Sequence, residues 1–127
     1  QVEMQKLLIV DDSATMRKII MRVLRQAQIP VDEILEAGNG KEGLQRLVAN
    51  PDIQMVLSDI NMPEMNGIEF VKAVRTRKSK DELPMIMITT EGGDQMIETA
   101  IGEGANGYVT KPFTPDSIRS ALEGFVG

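Results

Sequence analysis

Three carboxylates, a hydroxyl and an ammonium group stand at the ends of four strand-like apolar runs. Leu7-Leu8-Ile9-Val10 leads into Asp11 and Asp12, Met55-Val56-Leu57-Ser58 into Asp59, Met85-Ile86-Met87-Ile88 into Thr89, and Tyr108-Val109-Thr110 into Lys111. In an open α/β sheet, ligands bind in the crevice outside the carboxyl ends of the strands, so parallel pairing would gather these groups in one place. Two carboxylates about 4 Å apart repel by ~4 kcal/mol at an effective dielectric of ~20, and three of them need a cation or raised pKa values. The chain has no histidine and no cysteine, so its metal ligands are oxygens, which suit magnesium, manganese or calcium. A divalent ion there, with Lys111 as a point charge and Thr89 as a donor, would grip a phosphoryl group beside an aspartate. Singly, each residue has a plainer reading: Asp11-Asp12 as a helix cap, Thr89 as a β-branched strand residue, Lys111 as a solvated charge. Their convergence argues for a site.

Elements able to position them lie between. Apolar runs of about four to six residues alternate with stretches of helical period, the pattern of repeated βα units. Met16, Ile19, Ile20, Val23 and Leu24 space as one face of a first helix, with Ser13 as its N-cap and Gln28-Ile29-Pro30 closing it. A short strand near Glu33 to Ala37 follows, and Glu33 and Glu36 suit an edge position, where charge discourages intermolecular pairing. Asn39-Gly40 turns into a second helix with Leu44, Leu47 and Val48 inward, ended by Asn50-Pro51. Beyond Asp59, Met62-Pro63-Glu64-Met65-Asn66-Gly67 is a turn-rich connection to a third helix, whose buried face carries Ile68, Val71 and Val74. Lys78-Ser79-Lys80-Asp81-Glu82 is a charged loop before the fourth strand. Glu91-Gly92-Gly93-Asp94 opens a fourth helix, with Ile97, Ala100 and Ile101 on one face and Gly104 just past its end. The fifth helix turns Ile118, Ala121, Leu122, Phe125 and Val126 inward, behind Thr114 as N-cap, Pro115 and Asp116.

The first, third and fourth strands read as unbroken apolar runs, as parallel strands covered on both faces do. Right-handed crossovers then predict a doubly wound α/β sheet of order 2-1-3-4-5. Its switch point falls between the first and third strands, where Asp11, Asp12 and Asp59 stand.

Composition sets the outer limits. With 127 residues, 42% apolar and 26% charged, the chain predicts one globular domain over residues 1–127. No apolar run approaches the roughly 18 residues of a membrane span, so no membrane insertion is expected. Gln1-Val2-Glu3-Met4-Gln5-Lys6 lacks the layout of a signal peptide, and a cytoplasmic protein is the expectation. A formal net charge of −5 argues against nucleic acid as a partner, because sequence-independent binding needs cationic surface. Protein partners fit better.

Asp11-Asp12, the run Ser58-Asp59-Ile60-Asn61-Met62-Pro63-Glu64-Met65-Asn66-Gly67, Thr89-Thr90-Glu91, and Gly107-Tyr108-Val109-Thr110-Lys111-Pro112-Phe113 together resemble the receiver domain of two-component response regulators. The likeness runs from Lys6 to about Phe125, and Asp12-Ser13-Ala14-Thr15-Met16-Arg17, Asn61, Glu91 and Tyr108 make the chain most similar to the family's stand-alone chemotaxis regulators. That resemblance implies a flavodoxin-like (βα)5 sandwich, a single receiver domain without an output domain, and a monomeric phosphorylation switch that is not an enzyme. By position it implies Asp59 as phosphoacceptor, and magnesium held by Asp11, Asp12, Asp59 and the Asn61 main-chain carbonyl. Lys111 and Thr89 would bind the phosphoryl group, Thr89 and Tyr108 would form the switch, and Asn61 and Glu91 would control hydrolysis. A cis Lys111-Pro112 bond is implied as well. The implied partners are a histidine kinase as phosphoryl donor, and an output protein or phosphatase on the face of the fourth helix, fifth strand and fifth helix. Motor-binding members carry basic residues on that face, whereas Asp94, Ile97, Ile101, Ala121 and Gly124 stand there in this chain.

Other readings compete. A haloacid-dehalogenase-like phosphatase also uses an aspartyl phosphate, magnesium, threonine and lysine, but it needs a second Asp two residues after its nucleophile, where Ser13 follows Asp11 here. A flavodoxin-like cofactor binder needs a Ser/Thr/Gly-rich loop after its first strand, not an acidic one. A stand-alone phosphorelay receiver or a phosphate sink would share every site residue and differ in where the phosphoryl group goes.

Overall fold

The computed structural model describes residues 4–89, 94–111 and 114–123. Strands and helices alternate: β1 (Met4–Val10), α1 (Ala14–Gln26), β2 (Val31–Ala37), α2 (Gly40–Ala49), β3 (Met55–Asp59), α3 (Gly67–Arg75), β4 (Met85–Thr89), α4 (Asp94–Glu103), β5 (Gly107–Thr110) and α5 (Pro115–Leu122). The strands form one parallel sheet of order β2-β1-β3-β4-β5, as the sequence predicts. Every residue of β3 and β4 is buried, which explains their unbroken apolar runs. Alternate residues feed two cores. Leu7, Ile9, Leu57, Ile86 and Ile88 pack with Ile20, Val23 and Leu24 of α1 and Ile118 and Leu122 of α5. Leu8, Val10, Val56, Met85 and Met87 pack on the other face with Phe70, Val71 and Val74 of α3 and Ala100 of α4. Among the described residues, no helix is long and apolar enough to cross a membrane.

Helix ends follow local chemistry. Ser13, Asn39, Asn66 and Thr114 cap α1, α2, α3 and α5, each accepting a backbone N–H from the first turn. Proline does not itself stop α1. The helix closes with Ile29 N–H on the Leu24 carbonyl (3.1 Å) and Gln28 N–H on the Arg25 carbonyl (3.0 Å), two bonds that put Gln28 at φ 59° with Pro30 beyond them. Gly104 ends α4 the same way at φ 120°, in the position predicted for it.

One packing expectation needs correction and another an addition. Val48, expected inward, is 66% exposed. Leu44 and Leu47 already span the inward face of α2, and one further residue turns about 100° away from it. Ile68 packs against the core, partly buried, as expected, and Phe70, absent from the expectation, is fully buried against α2. Gly43 makes room for it, since a Cβ there would lie 2.8 Å from the Phe70 ring. The fifth-helix expectation at Phe125 and Val126 lies outside the described residues.

Candidate functional site

Register determines which groups meet. Val10 pairs with Ser58, so Asp11 and Asp59 come one step later on neighbouring strands. Asp59 pairs with Ile88, and Thr89 with Thr110, which staggers Thr89 and Lys111 one step further along the rim. Lys111 N–H donates to the Thr89 carbonyl at 2.7 Å, continuing the ladder past β5 and aiming its side chain back across the sheet. The Lys111 ammonium then lies 3.7 Å from Asp11 Oδ2 and 3.7 Å from Asp59 Oδ2.

Asp11, Asp12 and Asp59 each place a carboxylate oxygen within 4.8 Å of the others. Asp11 and Asp59 are buried and Asp12 is exposed, so the cluster opens to solvent on the Asp12 side. One oxygen of each buried acid is engaged locally: Asp11 Oδ1 accepts Ser13 N–H at 2.9 Å, and Asp59 Oδ1 accepts Ile60 N–H at 2.8 Å. The remaining oxygens face each other. Among the described residues, Asp11 Oδ2 is buried without a hydrogen-bond partner, between the Lys111 ammonium and the neighbouring carboxylates. Burial pushes both carboxyls above their ordinary range, and the negative neighbours push them further. Lys111 and the backbone N–H donors pull them back only in part. An orphaned buried oxygen beside two more carboxylates is what a hard divalent cation satisfies, and an all-oxygen set at a half-open pocket fits magnesium with retained water.

The other predicted site residues take different positions. Thr89 is buried at the end of β4. Tyr108 is 49% exposed on β5. Asn61 sits on the loop after Asp59 with its side chain exposed. Glu91, Thr90 and the Pro112 end of the Lys111-Pro112 bond lie outside the described residues.

Supporting residues went unread in the sequence. Arg17 reaches back from α1 to donate to the Asp11 carbonyl and, through Nε, to Glu36 Oε1 at 2.8 Å, tying the end of β1 to β2. Gly67 opens α3 directly against β3, where any Cβ would collide with the Asp59 carbonyl oxygen and lie 2.8 Å from Ile60 Cα. Its glycine is required by this close approach, a reason the Asn66-Gly67 turn signal only hinted at. Arg75, at the opposite end of the sheet, donates to the carbonyls of Gly104 (2.8 Å) and Leu83 (2.9 Å) and to Asn106 Oδ1 (2.9 Å). It fastens α3 to the β4 and β5 entries.

Comparison with known proteins points one way. A family model described as the response regulator receiver domain matches residues 7–123. The chain is 47% identical over 122 residues to a chemotaxis protein CheY homolog of Campylobacter jejuni, covering 96% of this chain and 92% of that protein. Among solved structures it is similar to the chemotaxis response regulator CheY4 of Vibrio cholerae, with a TM-score of 0.79 and 34% identity over 96% of this chain and 98% of that one. It is also similar to a two-component response regulator/GGDEF domain protein, with a TM-score of 0.82 and 34% identity, but spans only 46% of that longer chain.

Proposed function

The chain belongs to the response regulator receiver family, and from that premise we propose that Asp59 accepts a phosphoryl group from a histidine kinase in a chemotaxis pathway, with magnesium bound alongside. As a receiver domain it is a phosphorylation-dependent signalling switch rather than a metabolic enzyme. The observation that carries the assignment to Asp59 is the Lys111 ammonium at 3.7 Å from both Asp11 and Asp59, facing an acidic cluster with an unpartnered oxygen.

The chemistry follows from this arrangement. Asp59 Oδ2 points into the pocket while Oδ1 is held by Ile60 N–H, which fixes the carboxylate plane and presents one lone pair outward. That oxygen forms the O–P bond as the P–N bond to the donor imidazole breaks, and the leaving nitrogen takes its proton in the donor. The donor brings the imidazole, since this chain has no histidine. Magnesium, held by Asp12, Asp59 and the Asn61 carbonyl with Asp11 directly or through water, would neutralise charge on the phosphoryl oxygens. Lys111 offers a compact cation to the same oxygens and gives up part of its pairing with Asp59 to do so. Positioning and electrostatics supply most of the catalysis in such transfers.

Output runs through Thr89 and Tyr108. A phosphoryl group brings about −1.5 to −2 charge and strong acceptors to the rim beside Thr89. The Thr89 hydroxyl can follow those acceptors, and Tyr108, outward in this structure, can move into the space released. The surface reshaped is that of α4, β5 and α5, where Ile101 is 38% exposed. A partner for it presents apolar groups. Asn61 and Glu91 stand as the residues that admit hydrolytic water.

Labelling tests the reading. Acetyl phosphate or a labelled histidine kinase should place a base-labile phosphoryl group on the parent chain, and Asp59→Asn should abolish it. Undiminished labelling of that variant refutes the assignment.

A further inference from the structure

We propose that Asn39 and Glu64 form a clamp that positions the loop of residues 60–66 for magnesium. A side chain on the β2–α2 turn would then set the metal affinity of a site it does not touch. The inference rests on the reading of Asp59 and its neighbours as a magnesium-dependent phosphoryl site.

Asn39 is buried although it lies on a turn, and both ends of its amide are engaged. Its Oδ1 accepts Glu42 N–H at 3.0 Å, capping α2. That directs Nδ2 the other way, where it donates to Glu64 Oε2 at 3.2 Å. Beside it, Gly40 N–H donates to the Met65 carbonyl at 3.1 Å, and a Cβ on Gly40 would lie 2.7 Å from Met65 Cγ. Glu64 itself takes a φ of 64°, a left-handed conformation that a non-glycine residue occupies at a cost. Met65 N–H closes a tight turn around it on the Pro63 carbonyl at 2.7 Å. Backbone strain persists where the surroundings over-determine it, and Asn39 and Gly40 supply that determination.

The near end of the loop is fixed separately, by Gly67 N–H on the Ile60 carbonyl at 2.7 Å. Asn61, whose main-chain carbonyl would meet the metal, lies in the chain between these anchors. Groups that hold a metal's ligands in place matter nearly as much as the ligands.

Asn39→Asp separates the two roles of the residue. It keeps an oxygen to cap α2 but sets a carboxylate against Glu64 in place of the donor. Magnesium titrations of the full chain, read by calorimetry and by amide resonances near Asp12 and Asp59, should show a dissociation constant raised about tenfold. Adding Glu64→Gln reverses donor and acceptor, and should return the constant to within about twofold of the parent. Glu64→Ala, on an exposed side chain, should weaken magnesium as Asn39→Asp does. Unchanged affinity in both single variants, a lower Tm with unchanged affinity, or a doubly substituted chain no better than Asn39→Asp each overturns the clamp. A parent chain whose Asp12 and Asp59 resonances ignore magnesium overturns the underlying reading instead.

Discussion

Removing the proposed phosphoacceptor should stabilise the metal-free protein. Asp11 and Asp59 oxygens within 4.8 Å repel by ~3.5 kcal/mol at an effective dielectric of ~20. The Lys111 ammonium, 3.7 Å from Asp59, returns ~4.5 kcal/mol on the same scale, so these two terms cancel to within ~1 kcal/mol. Burial then decides the sign, because an ionised carboxylate taken from water costs several kcal/mol and neutral Asn does not. Asp59→Asn also keeps the oxygen that accepts Ile60 N–H, and its new amide nitrogen can donate to the orphaned Asp11 Oδ2. A gain of about 2 kcal/mol is expected near neutral pH, roughly 6–10 °C in Tm for a chain of this size. The pH dependence has a definite direction. Asp11 and Asp59 carry pKa values raised above the 3.8 of the unfolded chain, so the folded state holds more protons between that value and the raised ones. Their contribution to stability therefore falls as pH rises through that window, and the penalty is complete above it. Thermal unfolding of parent and variant in chelator should show a gap that widens from acid to neutral pH. Magnesium at about 100 times its dissociation constant should then raise the parent by ~2.7 kcal/mol and leave the variant nearly unmoved. A variant less stable than the parent in chelator at neutral pH, or a gap that narrows with rising pH, refutes the reasoning.

Other substitutions probe the remaining links. Gly67→Ala should drive a methyl into the Asp59 carbonyl, lowering Tm and cutting acetyl phosphate labelling at least about tenfold, since misplacement of about 1 Å already costs that much or more. Gln28→Gly should relieve the positive φ at the end of α1 and add about 1 kcal/mol in denaturant unfolding, with labelling untouched. Thr89→Ala should leave the proposed phosphorylation of Asp59 largely in place, yet abolish the amide shifts that beryllofluoride with magnesium should produce near Tyr108 and Ile97 in the parent. Shifts that persist there would assign the coupling to other residues.

Sequence reveals the proposed site more clearly than its supports, and the reason lies in what each is made of. Metal and phosphoryl chemistry need particular side chains, so Asp11, Asp12, Asp59, Thr89 and Lys111 announce themselves by type and by place at the ends of apolar runs. The supports mostly use main-chain partners. Arg17 holds the Asp11 carbonyl and Arg75 holds those of Leu83 and Gly104, and a carbonyl leaves no mark in a sequence. Gly43 and Phe70 fit by size across two helices, a match between distant positions that helical period does not encode. Val48 shows the limit of period itself, which marks a face only to within about one residue in 3.6.

One regularity joins the site to its supports. Among the described residues, the buried polar and charged ones are Asp11, Asn39, Ser58, Asp59 and Thr89, and all lie on the rim where the carboxyl ends of β1, β3 and β4 and the β2–α2 turn meet. Elsewhere among the described residues the buried side chains are apolar. On that rim the fold accepts desolvated carboxylates, an oxygen without a hydrogen bond and a strained Glu64, all within one short stretch of structure. Local rules fail together where a protein gives up stability for function. A structural ion-pair network would close on itself, with each charge satisfied by another. Here Lys111 lies too far from either carboxylate oxygen, at 3.7 Å, to make a hydrogen bond, and the acids outnumber it. The deficit is of one cation and one set of acceptors, which the proposed magnesium ion and phosphoryl group would supply.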